Sequence, residues 1–161
     1  MITYRWDKPN FLHIIYTGVI TGDELIQSAL DIAGEQQFDN AHFVLGDWSH
    51  YTHSSIDEEG VKALVSIMKS VCKICPQVRN AVVIRADKSG NALPSFYKML
   101  GDILPWKIEI FNHFKDAYNW LDQPYPVDIE VLEDFIDESV KRYNKPYIPR
   151  YKAHYSEGAR Q

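Results

Sequence analysis

Two strand-like runs open this chain, and helix and strand patterns then alternate four times through Leu121. No other feature narrows the fold as much. Strands joined by a tight turn pair antiparallel, whereas strands separated by a helix pair parallel, because a parallel crossover needs a dozen or more residues. The order β-β-α-β-α-β-α-β-α therefore predicts an α/β domain. It would hold a mostly parallel five-stranded sheet with helical crossovers, entered through a hairpin and followed by a C-terminal helix and tail.

Local patterns carry that order. Ile2, Tyr4 and Trp6 alternate with Thr3 and Arg5, as in a half-buried strand. Asp7-Lys8-Pro9-Asn10 supplies a turn, and residues 11–16 return as the second strand. Thr21-Gly22-Asp23-Glu24 reads as a capping box, with the threonine oxygen on free amides and Glu24 reaching back. The helix it starts turns Leu25, Ala29 and Ile32 inward and ends at Gly34. Residues 42–47 are the third strand. A second helix over about 56–75 places Val61, Leu64, Val65, Met68, Val71, Cys72 and Cys75 at three-four spacing, and Pro76 marks its end. Residues 81–84 are continuously apolar, as in a strand buried on both faces. A third helix, about 92–104, presents Leu93, Phe96, Tyr97, Leu100 and Leu104, with Pro94 in its first turn. Lys107–Phe111 alternates as the fifth strand, and Phe114, Ala117, Tyr118 and Leu121 mark a fourth helix.

Gln123-Pro124-Tyr125-Pro126 reads as a stiff linker. Beyond it, Ile129, Leu132, Ile136, Val140 and Tyr143 share one face of a further helix, about 128–143, acidic at its start and basic at its end as the helix dipole favours. The expected organisation is thus an α/β domain over 1–122 and an extension over 123–161.

Charge is spread unevenly. The last 21 residues hold Lys141, Arg142, Lys145, Arg150, Lys152 and Arg160 against Glu157 alone, a net +5, whereas the rest of the chain is net −10. Such a body repels a polyanion, so nucleic acid is not an expected partner. The longest apolar-leaning stretch, 11–20, is too short to span a bilayer, and no secretory signal is visible. With two cysteines, that points to a cytoplasmic setting. The interleaved basic and tyrosine residues from Lys145 to Tyr155 could touch anionic lipid, a transient membrane contact. A strap over its own domain, or over a second copy in a homodimer, explains them without an outside partner.

Residues 12–20 running into Thr21-Gly22-Asp23-Glu24-Leu25 look like the second strand and first helix of a known family. Phe43-Val44-Leu45-Gly46-Asp47-Trp48-Ser49 is similar to its strand ending in aspartate before a variable loop. Phe111-Asn112-His113-Phe114-Lys115-Asp116-Ala117-Tyr118-Asn119-Trp120-Leu121 is similar to its closing strand-to-helix segment. The chain thus resembles the SpoIIAA-like superfamily, which includes STAS domains and is related in fold to the Sec14/CRAL-TRIO lipid-binding domains. The resemblance covers about residues 1–122 and implies a non-enzymatic protein. Members include phosphorylation-switched antagonists of anti-sigma factors, regulatory domains of transporters and, in related folds, lipid holders. The shared motifs are core and capping features, which specify fold more than function.

The segment Asp47-Trp48-Ser49-His50-Tyr51-Thr52-His53-Ser54-Ser55 reads as a loop with two candidate chemistries. Ser54 or Ser55 lies where the resemblance implies a phosphorylation site, at the start of a helix that offers free amides to a phosphate. Yet Ser55-Ile56-Asp57-Glu58 is itself a capping box, and Asp57, Glu58 and Glu59 would repel a phosphate. Asp47, His50 and His53 supply a carboxylate and two imidazoles for metal binding or acid–base work, but no fourth ligand and no paired nucleophile accompany them. Solvated histidines are the favoured reading. Cys72-Lys73-Ile74-Cys75 has redox spacing but ends a helix, where the dipole opposes a thiolate, so buried inert thiols are expected. Asp87-Lys88-Ser89-Gly90-Asn91 reads as a plain turn between strand and helix, without phosphate-loop spacing.

Aromatic residues are the remaining excess. Trp48 and Tyr51 follow the third strand, Phe96 and Tyr97 ride the third helix, and Trp106 precedes the fifth strand. Because α/β sheets place ligands at the C-terminal ends of parallel strands, these five are the candidate ligand-binding residues. They would admit a small apolar or amphipathic molecule between the second and third helices. No cofactor, metal or catalytic residue is implied. The leading expectation is a regulatory or binding module. A protein partner met through Ser54 or Ser55 is the alternative, and an enzyme at Asp47, His50 and His53 is the least favoured.

Overall fold

A computed structural model of the chain describes residues 1–85 and 92–126, the side chains of 92–94 excepted. The turn expected at 87–91, the position of Leu93, the helix at 128–143 and the basic tail lie outside the described residues. The elements are β1 (Ile2–Lys8), β2 (Phe11–Thr21), α1 (Gly22–Ala33), a short 3-10 turn (Gln36–Asn40), β3 (Phe43–Ser55), α2 (Glu58–Ile74), β4 (Arg79–Val83), α3 (Ala92–Ile103), β5 (Lys107–Phe111) and α4 (Phe114–Trp120). This is the α/β order anticipated from the sequence.

The five strands lie side by side in chain order. β1 pairs antiparallel with β2, and every later neighbour is parallel. Crossovers between parallel strands are right-handed, and here each new strand is added on the same side of the last, so successive crossovers return over one face. α1, α2 and α3 accordingly pack on that face, where Leu25, Leu64 and Tyr97 join Leu12, Val44 and Val82 in the larger core. α4 turns back beneath the sheet, and Ala117 and Tyr118 meet Phe11, Leu45, Ala81 and Val83. The strand order never reverses, so the sheet has no topological switch point.

The capping box at α1 forms as the sequence spells it. Thr21 Oγ1 accepts from Glu24 N at 3.2 Å, and Glu24 Oε2 accepts from Thr21 N at 2.9 Å. Gly34 does cap the far end, but with φ −79° it does not use the left-handed conformation that glycine permits.

Two expectations fail at β3. The segment 47–55 is not a loop: the strand runs on to Ser55, and β2 runs on beside it to Thr21. Ser55 is not a helix cap either, because it is still paired with Thr21 in the sheet. α2 begins later, and Asp57 caps it by accepting from Gly60 N at 2.8 Å. The cause of the misreading is a pair of bulges. Ile15 pairs with Asp47 but Thr17 with His50, and Gly18 pairs with Tyr51 but Val19 with His53. At each place β3 carries one extra residue, which breaks the alternation by which a strand is recognised. Gly18 sits at the second bulge with φ +70°, a backbone conformation costly for residues with a Cβ.

Candidate functional site

The two bulges decide which side chains of β3 face the helices. Each extra residue inverts the alternation, so Trp48, Tyr51 and Ser54, three apart in sequence, all line one cavity beneath α1, α2 and α3. The cavity measures about 340 Å³, within the range of small-molecule sites. Its floor is the sheet, through Leu12, Ile14, Tyr16, Val44 and Asn80. Its walls come from α1 (Ser28, Ala29, Ile32), α2 (Val61, Leu64, Met68, Val71) and α3 (Phe96, Tyr97, Leu100), with Trp106 also on the lining. No charged side chain lines it among the described residues.

The structure brings Trp48, Tyr51, Phe96, Tyr97 and Trp106 onto this one surface. Sequence reasoning missed the α1 wall and two contributors from the sheet, Tyr16 and Asn80. Tyr16 stacks on Trp48 with ring centroids 3.6 Å apart and planes within 7°. Tyr51 and Tyr97 meet the edges of the same indole at 5.1 and 6.1 Å. Trp48 Nε1 donates to the Tyr97 hydroxyl at 3.0 Å, and the Tyr16 hydroxyl is hydrogen-bonded to Tyr97 as well. Burial pushes the Tyr97 hydroxyl up to about 12 and that of Tyr16 well above its usual 10. Both stay protonated at any physiological pH. Trp106 Nε1 donates to the Cys75 carbonyl at 2.6 Å, which pins its ring where α2 ends. Asn80 is the exception to this satisfaction of polar groups. It is only 7% exposed, and its Oδ1 has no hydrogen-bond partner.

The remaining candidates are dispersed. Asp47 is buried, and its Oδ1 accepts from Ser49 N at 2.8 Å. Its charge acts on His13 and Tyr118, on the α4 side of the sheet. His50 and His53 are exposed along β3. Among the described residues no group of three or more His, Cys, Asp or Glu side chains could hold a metal ion. Ser54 and Ser55 end β3, opposite Ile20 and Thr21, and Ser54 Oγ accepts from Ile56 N at 3.4 Å. Neither heads α2, whose first amides meet Asp57. Cys72 and Cys75 are free and buried. Burial raises the Cys72 thiol to about 11 and that of Cys75 above its usual value, and Cys75 Sγ donates to the Phe38 carbonyl at 2.8 Å. No helix among the described residues is long and apolar enough to cross a membrane.

The chain is similar to the anti-sigma factor antagonist SpoIIAA in its unphosphorylated form, at 11% identity and a TM-score of 0.49, over 76% of this chain and 98% of that one. It is also similar to an uncharacterized DUF3478-family protein with a SpoIIAA-like fold from Shewanella loihica PV-4, at 15% identity and a TM-score of 0.47, over 75% of this chain and 92% of that one. The sequence matches no protein-family model and no curated protein.

Proposed function

We propose that this chain is a non-enzymatic binding module that holds a small apolar molecule between the sheet and helices α1 to α3. The observation that carries this reading is the cavity of about 340 Å³, mainly apolar in its lining and edged by Tyr16, Trp48, Tyr51, Phe96, Tyr97 and Trp106. Water is a poor filler for such a space, because it finds few partners there. An apolar guest would satisfy the exposed ring faces by burial. The chemistry of the lining also argues for binding without catalysis. The tyrosine hydroxyls and the nearby thiols are held in their neutral forms, and no acid, base or cation reaches the space among the described residues.

A phosphorylation-operated switch at Ser54 or Ser55 has weaker support. Asp57 already occupies the start of α2, and Glu58 and Glu59 follow in its first turn. Native mass spectrometry of freshly purified protein, followed by solvent extraction, tests the main reading. One bound apolar molecule per chain is expected. A clean apo mass, together with no uptake of apolar probes, would defeat it and favour a protein-binding role.

A further inference from the structure

We propose that β5 is the docking edge for a second copy of this chain, whose own β5 pairs with it antiparallel about a twofold axis. The inference stands apart from the ligand-binding reading. Among the described residues β5 closes the sheet and has a neighbour on one side only. Lys107 N donates to the Val78 carbonyl at 3.0 Å, and the Phe111 carbonyl accepts from Ile84 N at 2.9 Å. Residues 107, 109 and 111 thus turn their backbone groups toward β4. By alternation Ile108 and Ile110 turn theirs outward, where a further strand can meet them. The side chains alternate as well. Lys107 and Glu109 are exposed on the face that Phe111 shares with α4, whereas Ile108 and Ile110 pack against the larger core.

Charge decides the register. An outward residue must face an outward residue, so Ile108 meets its own copy, or Ile108 meets Ile110, or Ile110 meets its own copy. The second arrangement sets Glu109 against the partner's Glu109, and like charges directly opposite are destabilising. The third leaves Lys107 with no residue of β5 opposite it. Only the first sets Lys107 opposite the partner's Glu109 and Glu109 opposite the partner's Lys107, two attractive pairs from one relationship. Among the described residues neither side chain has an ion pair of its own. The other edge, β1, is different. There Arg5 already binds Asp7 at 2.6 Å, and a bulge between Trp6 and Lys8 breaks the ladder. α3 also leaves room at β5. It passes over the strand with an exposed glycine, Gly101, where a Cβ would stand 3.9 Å from that of Ile108. A twofold axis perpendicular to the sheet puts both copies of α3 on one side, and glycine lets them approach.

Charge exchanges in the full chain test this without touching the core. Sedimentation velocity of the unaltered protein over about a hundredfold range of concentration should show monomers passing into dimers. Glu109→Lys sets lysine against lysine, and Lys107→Glu sets glutamate against glutamate. Each should weaken the dimer at least about tenfold. An equimolar mixture of the two variants should dimerise again, and so should the chain that carries both exchanges. Backbone amide exchange gives a second readout. The amides of Ile108 and Ile110 should gain protection as concentration rises, while that of Lys107, already bonded to Val78, should not change. A protein that stays monomeric at every concentration would overturn the proposal. A dimer indifferent to both single exchanges would overturn it as well, because its interface would lie elsewhere.

Discussion

Tyr16 of β2 and Trp48 of β3 stack face to face, 3.6 Å between centroids, directly over the backbone of Gly46. A Cβ on Gly46 would stand 3.5 Å from the indole nitrogen and 3.8 Å from the Tyr16 ring. The pair is tied to α3 because Trp48 Nε1 and the Tyr16 hydroxyl converge on the Tyr97 hydroxyl. Sheet and helix are thus joined by a hydrogen-bonded aromatic cluster at one edge of the cavity.

Tyr97→Phe should therefore cost more than the loss of one hydroxyl. It leaves two buried donors, Trp48 Nε1 and Tyr16 O–H, without their acceptor, at about 1–3 kcal/mol in urea unfolding. Alkali provides a second measure. The folded pKa of Tyr97, about 12, exceeds the unfolded value of 10, and burial raises that of Tyr16 well above 10 as well. Their contribution to stability is complete below pH 10 and is lost as pH rises toward 12. Absorbance titration should show a late class of tyrosines that ionises only as the protein unfolds. A single class titrating near 10 in folded protein would refute the cluster.

Acid stability should depend on His13. The ring is 3% exposed, with Arg5 Nη2 3.1 Å and Asp7 Oδ2 3.4 Å from Nδ1. Burial first, then the Arg5 charge, hold its pKa below 6.5. The imidazole is neutral at pH 7, so its contact with Asp7 is no ion pair there. Nδ1 accepts from Arg5, which puts the proton on Nε2, and that atom is buried without a partner. The unfolded chain takes up a proton near pH 6.5 and the folded one only lower. Stability is therefore complete above 6.5 and falls as pH drops below it. Urea midpoints at pH 7 and 5 should differ more in the unaltered protein than in His13→Gln.

Gly18 offers a test of the bulge that turns Ser54 back to the cavity face. Nothing lies within 4 Å of where its Cβ would be, so any cost of substitution comes from the backbone and not from crowding. Gly18→Ala should destabilise by about 1–2 kcal/mol, and Gly18→Asn by less, because asparagine tolerates the left-handed conformation. Equal losses would show that φ +70° is not the cause.

That bulge also marks where sequence patterns stop being informative. The α1 capping box, the apolar run at 81–84 and the three-four stripe of α2 could be read from residues because each is a local rule obeyed locally. Residues 47–55 could not. Two inserted residues destroy period two, and the polar residues between Trp48 and Ser54 then look like a loop. The five aromatic residues on the helices and strand ends stood out by composition. Tyr16 and Asn80 did not, since one sits in a strand of ordinary apolar residues and the other looks like the start of a turn after Pro76. Their roles depend on strand register, which only the folded sheet supplies.

Glu35 is another contact invisible to local pattern. Its two carboxylate oxygens accept from Tyr4 O–H at 2.8 Å and from Trp6 Nε1 at 2.6 Å, fastening the edge strand β1 to the chain leaving α1. Tyr4 and Trp6 alternate onto the same face, and the carboxylate bridges them. Glu35→Ala should cost about 1–2 kcal/mol, given that the site is only half buried. Glu35→Gln, which keeps one acceptor oxygen, should recover part of it. A double-mutant cycle with Trp6→Phe separates the bond from the packing.

Filling the cavity distinguishes a true space from a closed core. Ala29 on α1 lines it and is only partly buried. Leucine is nearly as good a helix former as alanine, so Ala29→Leu changes little except the volume projected inward. In a closed core the added carbons would force neighbours aside at about 1–3 kcal/mol. In an open apolar cavity they gain burial instead, and the melting temperature should hold or rise while 1-decanol affinity falls at least tenfold. A destabilised variant with unchanged affinity would mean that the space beneath α1 is already occupied by the protein itself.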